Sequence, residues 1–158
     1  MFLNTIDSRF IKLVIFLKVN SDNVSDALKV LQKQWVDFFD LSSYRETIAK
    51  DMSKGTRQKL MLSSAFIHEP SLMLLDEPFI NLDPIYQRKV KDYLIEYVNN
   101  GGTVLLSTHI LSLAEELCDI VAVINQGSIL ATDKTSNVVS EFGSLENAFL
   151  NRVGYYEM

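Results

Sequence analysis

Apolar residues Val24, Leu28, Leu31, Trp35 and Phe38 recur at spacings of four, three, four and three. That rhythm predicts one apolar stripe on a helix, with Lys29, Gln32 and Lys33 off the stripe. The polar connection DLSSYRETIAKD follows, and a second helix is predicted from about Thr56 to Ile67, ending before Pro70. At LMLL, Leu72 to Leu75, alternation stops, which predicts a parallel strand buried on both faces. NLDPIYQRKVKDYLIEYVNNGG reads as a helix capped by Asp83, with Pro84 in its first turn and Gly101 or Gly102 at its end. TVLLST and IVAVI predict two further strands around a short helix, ILSLAEELCD. NQGSILA predicts a turn at Gln126-Gly127 leading into an edge strand, and Ser136 to about Arg152 reads as helical before the tail GYYEM. Strand, helix, strand, helix, strand in this order predicts an α/β fold, a parallel sheet flanked by helices with right-handed crossovers. Ligands on such sheets bind beyond the carboxyl ends of the strands, so the residues that follow each strand are the candidates for chemistry.

Composition narrows the class. The 158 residues are 47% hydrophobic and 22% charged, as in a globular domain with a real core. A net charge of −5 argues against a broad nucleic-acid footprint. Cys118 is the single cysteine, so no internal disulfide forms, which fits a reducing compartment. The run FIKLVIFLKV, Phe10 to Val19, is too short to span a bilayer and carries Lys12 and Lys18; a buried strand or helix segment suits it better than a signal peptide.

Asp76 and Glu77 directly follow the first predicted strand. Carboxylates there are costly unless charge or hydrogen bonds satisfy them. Adjacent side chains point in different directions, so one can hold Mg²⁺ through water while the other orients or deprotonates a water. A solvated turn, DEP, is the plain alternative. STH, Ser107 to His109, follows the next strand, and its imidazole can donate to a phosphate oxygen or simply sit solvated at a helix start. In DMSKGTRQKLML, Ser53 can cap a helix and Gly55 permits a tight turn, which describes either an ordinary capped helix or half of a phosphate cradle. A serine hydrolase reading fails for want of G-x-S-x-G, and HEPSL lacks the second histidine of a zinc motif.

In chain order, MSKGT, LMLLDE, NLDP and STH resemble the signature, the Walker B strand with its catalytic glutamate, the D-loop and the switch histidine of ATP-binding cassette (ABC) transporter ATPases. The resemblance covers about Ser21 to Leu150. Lys54 stands where the usual L-S-G-G-Q signature has its first glycine, and S-K-G is similar to signatures of ABC-2 type exporters. Thr56 replaces the glutamine, keeping a hydroxyl without the amide. No G-x-x-x-x-G-K-[ST] Walker A loop occurs, and only 52 residues precede Ser53, so the chain reads as a C-terminal portion of such an ATPase.

The resemblance implies a partial P-loop NTPase fold with an N-terminal helical subdomain. It divides the chain into an unassigned segment 1–20, a helical subdomain 21–68 with the signature, an α/β core 69–135 and a helical tail 136–158. It implies ATP and Mg²⁺ as cofactors, with Asp76 toward Mg²⁺ through water, Glu77 as general base and His109 on the γ-phosphate. Ser53, Lys54, Gly55 and Thr56 would meet the ATP of a partner subunit, and Asp83 of the D-loop would help join the two. The implied partners are a second ABC ATPase subunit, or a missing N-terminal half, and a membrane permease, with no nucleic acid. The implied location is the cytoplasmic face of the membrane. Without a Walker A loop the chain alone is expected to hydrolyse ATP poorly or not at all. A non-catalytic remnant or interaction module that keeps the fold is the alternative.

Overall fold

The computed structural model describes residues 33–152. Val24, Leu28 and Leu31 of the predicted stripe, the run Phe10–Val19 and the GYYEM tail lie outside that range. Residues 33–38 are helical (α1) and deliver Trp35, 2% exposed, to the core. Short 3-10 turns, Ser42–Tyr44 and Ala49–Asp51, break the polar connection that follows. Helix α2 runs Lys54–Phe66, with the Ser53 side chain accepting from the Thr56 N–H. Its inward positions Thr56, Ser63 and Phe66 keep helical spacing, and Leu62 joins them.

Strand β1 is Leu72–Asp76, helix α3 Pro84–Asn99 and strand β2 Thr103–Ser107. The α3 boundaries follow from local chemistry. Asp83 accepts from the Ile85 and Tyr86 N–H groups, Pro84 needs no donor partner at the first turn, and Gly101 adopts φ 93 just past the end. β1 and β2 pair in parallel, from Leu72 opposite Thr103 to Asp76 opposite Ser107. Met73 and Leu75 face the helices and meet Phe66, Phe79, Val90 and Leu94 in one buried cluster. Aromatic rings knit its helical side: Trp35, Phe66 and Tyr93 lie with centroids 4.5–5.2 Å apart.

Helix α4 spans Leu111–Leu117, strand β3 Ile120–Asn125, strand β4 Ser128–Lys134, and helices α5 and α6 Thr135–Phe142 and Leu145–Arg152. Three expectations change here. The third predicted strand does not extend the parallel sheet; among the described residues β3 pairs only with β4, antiparallel. The cause is local: Gln126 and Gly127 both take positive φ, 49° and 77°, giving a two-residue turn that folds the chain straight back. The β1–β2 pair is not buried on both faces. Leu72 and Leu74 are 50% and 52% exposed and Leu105 66%, because among the described residues the helices cover one side only. The predicted terminal helix is two helices, broken where Gly143 turns left-handed at φ 80 and the Ser144 hydroxyl accepts from Asn147 N–H. Among the described residues no helix is long and apolar enough to cross a membrane.

Candidate functional site at the strand ends

Asp76 and Ser107 are the last paired residues of β1 and β2, and the Ser107 hydroxyl donates to the Asp76 carboxylate. The ladder continues one residue further, with Glu77 N–H donating to the Ser107 carbonyl at 3.0 Å. Glu77 takes φ 47, a left-handed conformation that costs a non-glycine residue about 1–3 kcal/mol. Its carboxylate reaches the loop after β2. Oε1 accepts from His109 N–H at 3.0 Å and lies 2.7 Å from His109 Nδ1, while Oε2 accepts from the Thr108 hydroxyl at 3.3 Å. A proton on Nδ1 suits that contact, which leaves Nε2 of a largely exposed imidazole facing outward. The two neighbouring carboxylates therefore have separate partners: Asp76 the Ser107 hydroxyl, Glu77 the Thr108–His109 turn.

The Ser53–Thr56 turn opens α2. Ser53 Oγ accepts from Thr56 N–H at 3.0 Å and lies 2.8 Å from Thr56 Oγ1. Ser53 and Lys54 are exposed, whereas Thr56 is buried with its hydroxyl turned inward to Ser53. Gly55 is required sterically, since a Cβ there would lie 2.7 Å from the Asn81 carbonyl oxygen. Asp83 lies close by through Lys59, whose ammonium is 3.8 Å from its carboxylate and 3.1 Å from the centre of the Tyr86 ring. Burial pushes the Lys59 pKa down, against the opposing pull of Asp83 and Asp40.

Sequence reasoning passed over two glutamines. Gln58 of α2 donates to the Glu77 and Pro78 carbonyls at 3.3 and 3.1 Å, and Gln87 of α3 donates to the Phe79 and Leu82 carbonyls at 3.3 and 3.2 Å. Nothing in a helical glutamine announces a loop carbonyl as its partner. Among the described residues no three His, Cys, Asp or Glu side chains converge as a metal cage. Mg²⁺ needs no such cage, because it keeps several waters and takes one or two carboxylates besides phosphate oxygens. The exposed Asp76 carboxylate beside the Ser107 hydroxyl fits that requirement.

Residues 6–115, more than half of the chain, match and belong to the family described as "AAA domain, putative AbiEii toxin, Type IV TA system". The uncharacterized ABC transporter ATP-binding protein YhaQ of Bacillus subtilis is 31% identical over 132 residues, 84% of this chain and 44% of that protein. The daunorubicin/doxorubicin resistance ATP-binding protein of Streptomyces peucetius is 37% identical over 109 residues, 69% of this chain and 33% of its own length. A solved ATP-binding subunit of an ABC transporter superposes with a TM-score of 0.74 at 29% identity, over 82% of this chain and 55% of that one. The chain belongs to the ABC transporter ATP-binding proteins. Its fold is accordingly that of ABC-type P-loop NTPases. This ABC chain spans less than half the length of these two curated relatives.

Proposed function

We propose that this chain is an ATP-binding and ATP-hydrolysing component of an ABC transporter that contributes its Ser53–Thr56 turn to a composite site with a partner. The observation that carries the reading is the Glu77 carboxylate, held by Thr108 and His109 beside the Asp76–Ser107 pair at the carboxyl ends of β1 and β2. In this reading Asp76 would hold Mg²⁺ through water, and the ion would supply charge neutralisation to the phosphates. Glu77 accepts the proton of the attacking water, a contribution of about 10²–10⁴ in rate. In this reading His109 carries a proton on each ring nitrogen, Nδ1–H donating to Glu77 and Nε2–H to the γ-phosphate. Ser53, Lys54 and the N–H groups around Gly55 meet the γ-phosphate of a nucleotide held by the partner, where the positive end of α2 favours an anion. Thr56 acts from behind by fixing Ser53, and Asp83 lies at the junction of the two ATPase domains.

The partners that complete this function are a chain or segment carrying G-x-x-x-x-G-K-[ST] and a membrane permease, which places the assembly on the cytoplasmic face of a membrane. Most of the acceleration in phosphoryl transfer comes from the lysine and backbone cradle of that loop, which this sequence lacks. Purified Met1–Met158 with Mg²⁺ and ATP is therefore expected to show little or no turnover. Turnover that disappears in Glu77→Gln would overturn the need for a partner.

A further inference from the structure

Leaving β1, the chain from Glu77 to Asp83 is strained at two non-glycine residues, Glu77 at φ 47 and Asn81 at φ 60. Such a path persists only where its surroundings over-determine it. Pro78, Phe79 and Leu82 are buried and anchor it from below. Its carbonyl groups are held from above by two side-chain amides. Gln58 takes the first pair, Glu77 and Pro78, and Gln87 takes the second, Phe79 and Leu82. All four acceptors are carbonyl oxygens, so the amide nitrogen of each glutamine must face the loop. Gln58 lies two residues beyond Thr56 on α2, and Gly55 already abuts the Asn81 carbonyl.

The geometry points to Gln58 as a positioning residue that couples the Ser53–Thr56 turn to the Glu77 carboxylate. Building on the proposed ATPase role, it gives that role a physical link between the two nucleotide-facing surfaces of one chain. Movement of α2 pulls on the Glu77 and Pro78 carbonyls. Glu77 leaves β1 at a left-handed φ, and a shift of its carbonyl turns the residue and swings its carboxylate relative to His109. A partner's nucleotide seated on the α2 turn thus sets how Glu77 meets its own water.

The link is tested without turnover, by amide hydrogen exchange in the whole Met1–Met158 chain. His109 N–H bonds to Glu77 Oε1, and the structure gives it no hydrogen bond to Gln58. Gln58→Met keeps length and removes the donor. Its His109 amide is expected to exchange about fivefold faster or more, the loss of roughly one net hydrogen bond, with its resonance shifted toward that of Glu77→Gln. The Ile85 and Tyr86 amides, capped by Asp83, should stay protected and show that the fold persists. If Gln58→Met does not fold, Gln58→Ala is read in the same way. A His109 amide unchanged while exchange alters only within α2 would overturn the coupling. Failure of the ATPase role would instead show in turnover and leave this exchange result standing.

Discussion

Similarly apolar strands meet different fates in the two halves of the molecule. Around β1 and β2, helices α1 to α3 cover one face of the pair, burying Met73 and Leu75 of β1 together with Trp35, Phe39, Phe66 and Phe79, while among the described residues the other face is left exposed. Around β3 and β4, Ile120, Ile124 and Ile129 are each more than 60% exposed, and among the described residues the neighbouring helices bury only Ala114, Thr135, Leu145 and Ala148. The hairpin is held by its own ladder and turn; the first half is held by interlocking rings. Every residue proposed to meet nucleotide or metal stands on that first half. A strained loop bearing Glu77 needs rigid support, and the aromatic cluster supplies it.

Truncation on the two sides should break the symmetry of composition most visibly. Phe66→Ala opens a hole among Trp35, Phe39 and Tyr93 and is expected to cost about 3–5 kcal/mol in denaturant unfolding. Tyr93→Phe is a milder probe of the same cluster. The Tyr93 hydroxyl is buried with no hydrogen-bond partner among the described residues, so its removal should leave stability unchanged or raise it by up to about 1 kcal/mol near neutral pH. Burial foremost, then the Glu69 carboxylate, pushes the Tyr93 phenol pKa up from 10.0. A raised folded value means stability is complete below the unfolded phenol's pKa and is lost as pH climbs past about 10 toward the folded value. Melting temperatures of the wild type should therefore fall above pH 10, and Tyr93→Phe should flatten that fall. On the other half, Ile129→Ser, at a position 67% exposed, should change stability by no more than about 0.5 kcal/mol. A loss at Ile129 rivalling that at Phe66 would mean that the hairpin bears on the core.

Much of this arrangement was legible before the structure, for identifiable reasons. Helix α3 carries its own boundaries in Asp83, Pro84 and Gly101, and the hairpin carries its turn in Gln126-Gly127. Apolar runs placed Asp76, Glu77 and His109 at strand ends, where the structure brings Glu77 to His109 and Asp76 to Ser107. An apolar run names a strand but not its neighbours, so the exposed outer face of β1 and β2 and the separation of β3 stayed hidden. The Gly143-Ser144 break between α5 and α6 is written in the sequence as a stop followed by a cap, which a periodicity spanning Ser136 to Arg152 does not reveal. Gln58 and Gln87 were invisible because their partners are carbonyls of a loop bent at Glu77 and Asn81; asparagine suits a left-handed φ, but Glu77 does not advertise one.

The most direct measurement of the central claim is ATP turnover by this chain mixed with a family member that carries a Walker A loop, comparing two single variants. If Ser53 serves the partner's nucleotide while Glu77 serves one this chain cannot hold by itself, Ser53→Arg abolishes the turnover gained on mixing and Glu77→Gln leaves it intact. Loss of that gain in Glu77→Gln, with Ser53→Arg silent, would contradict the account.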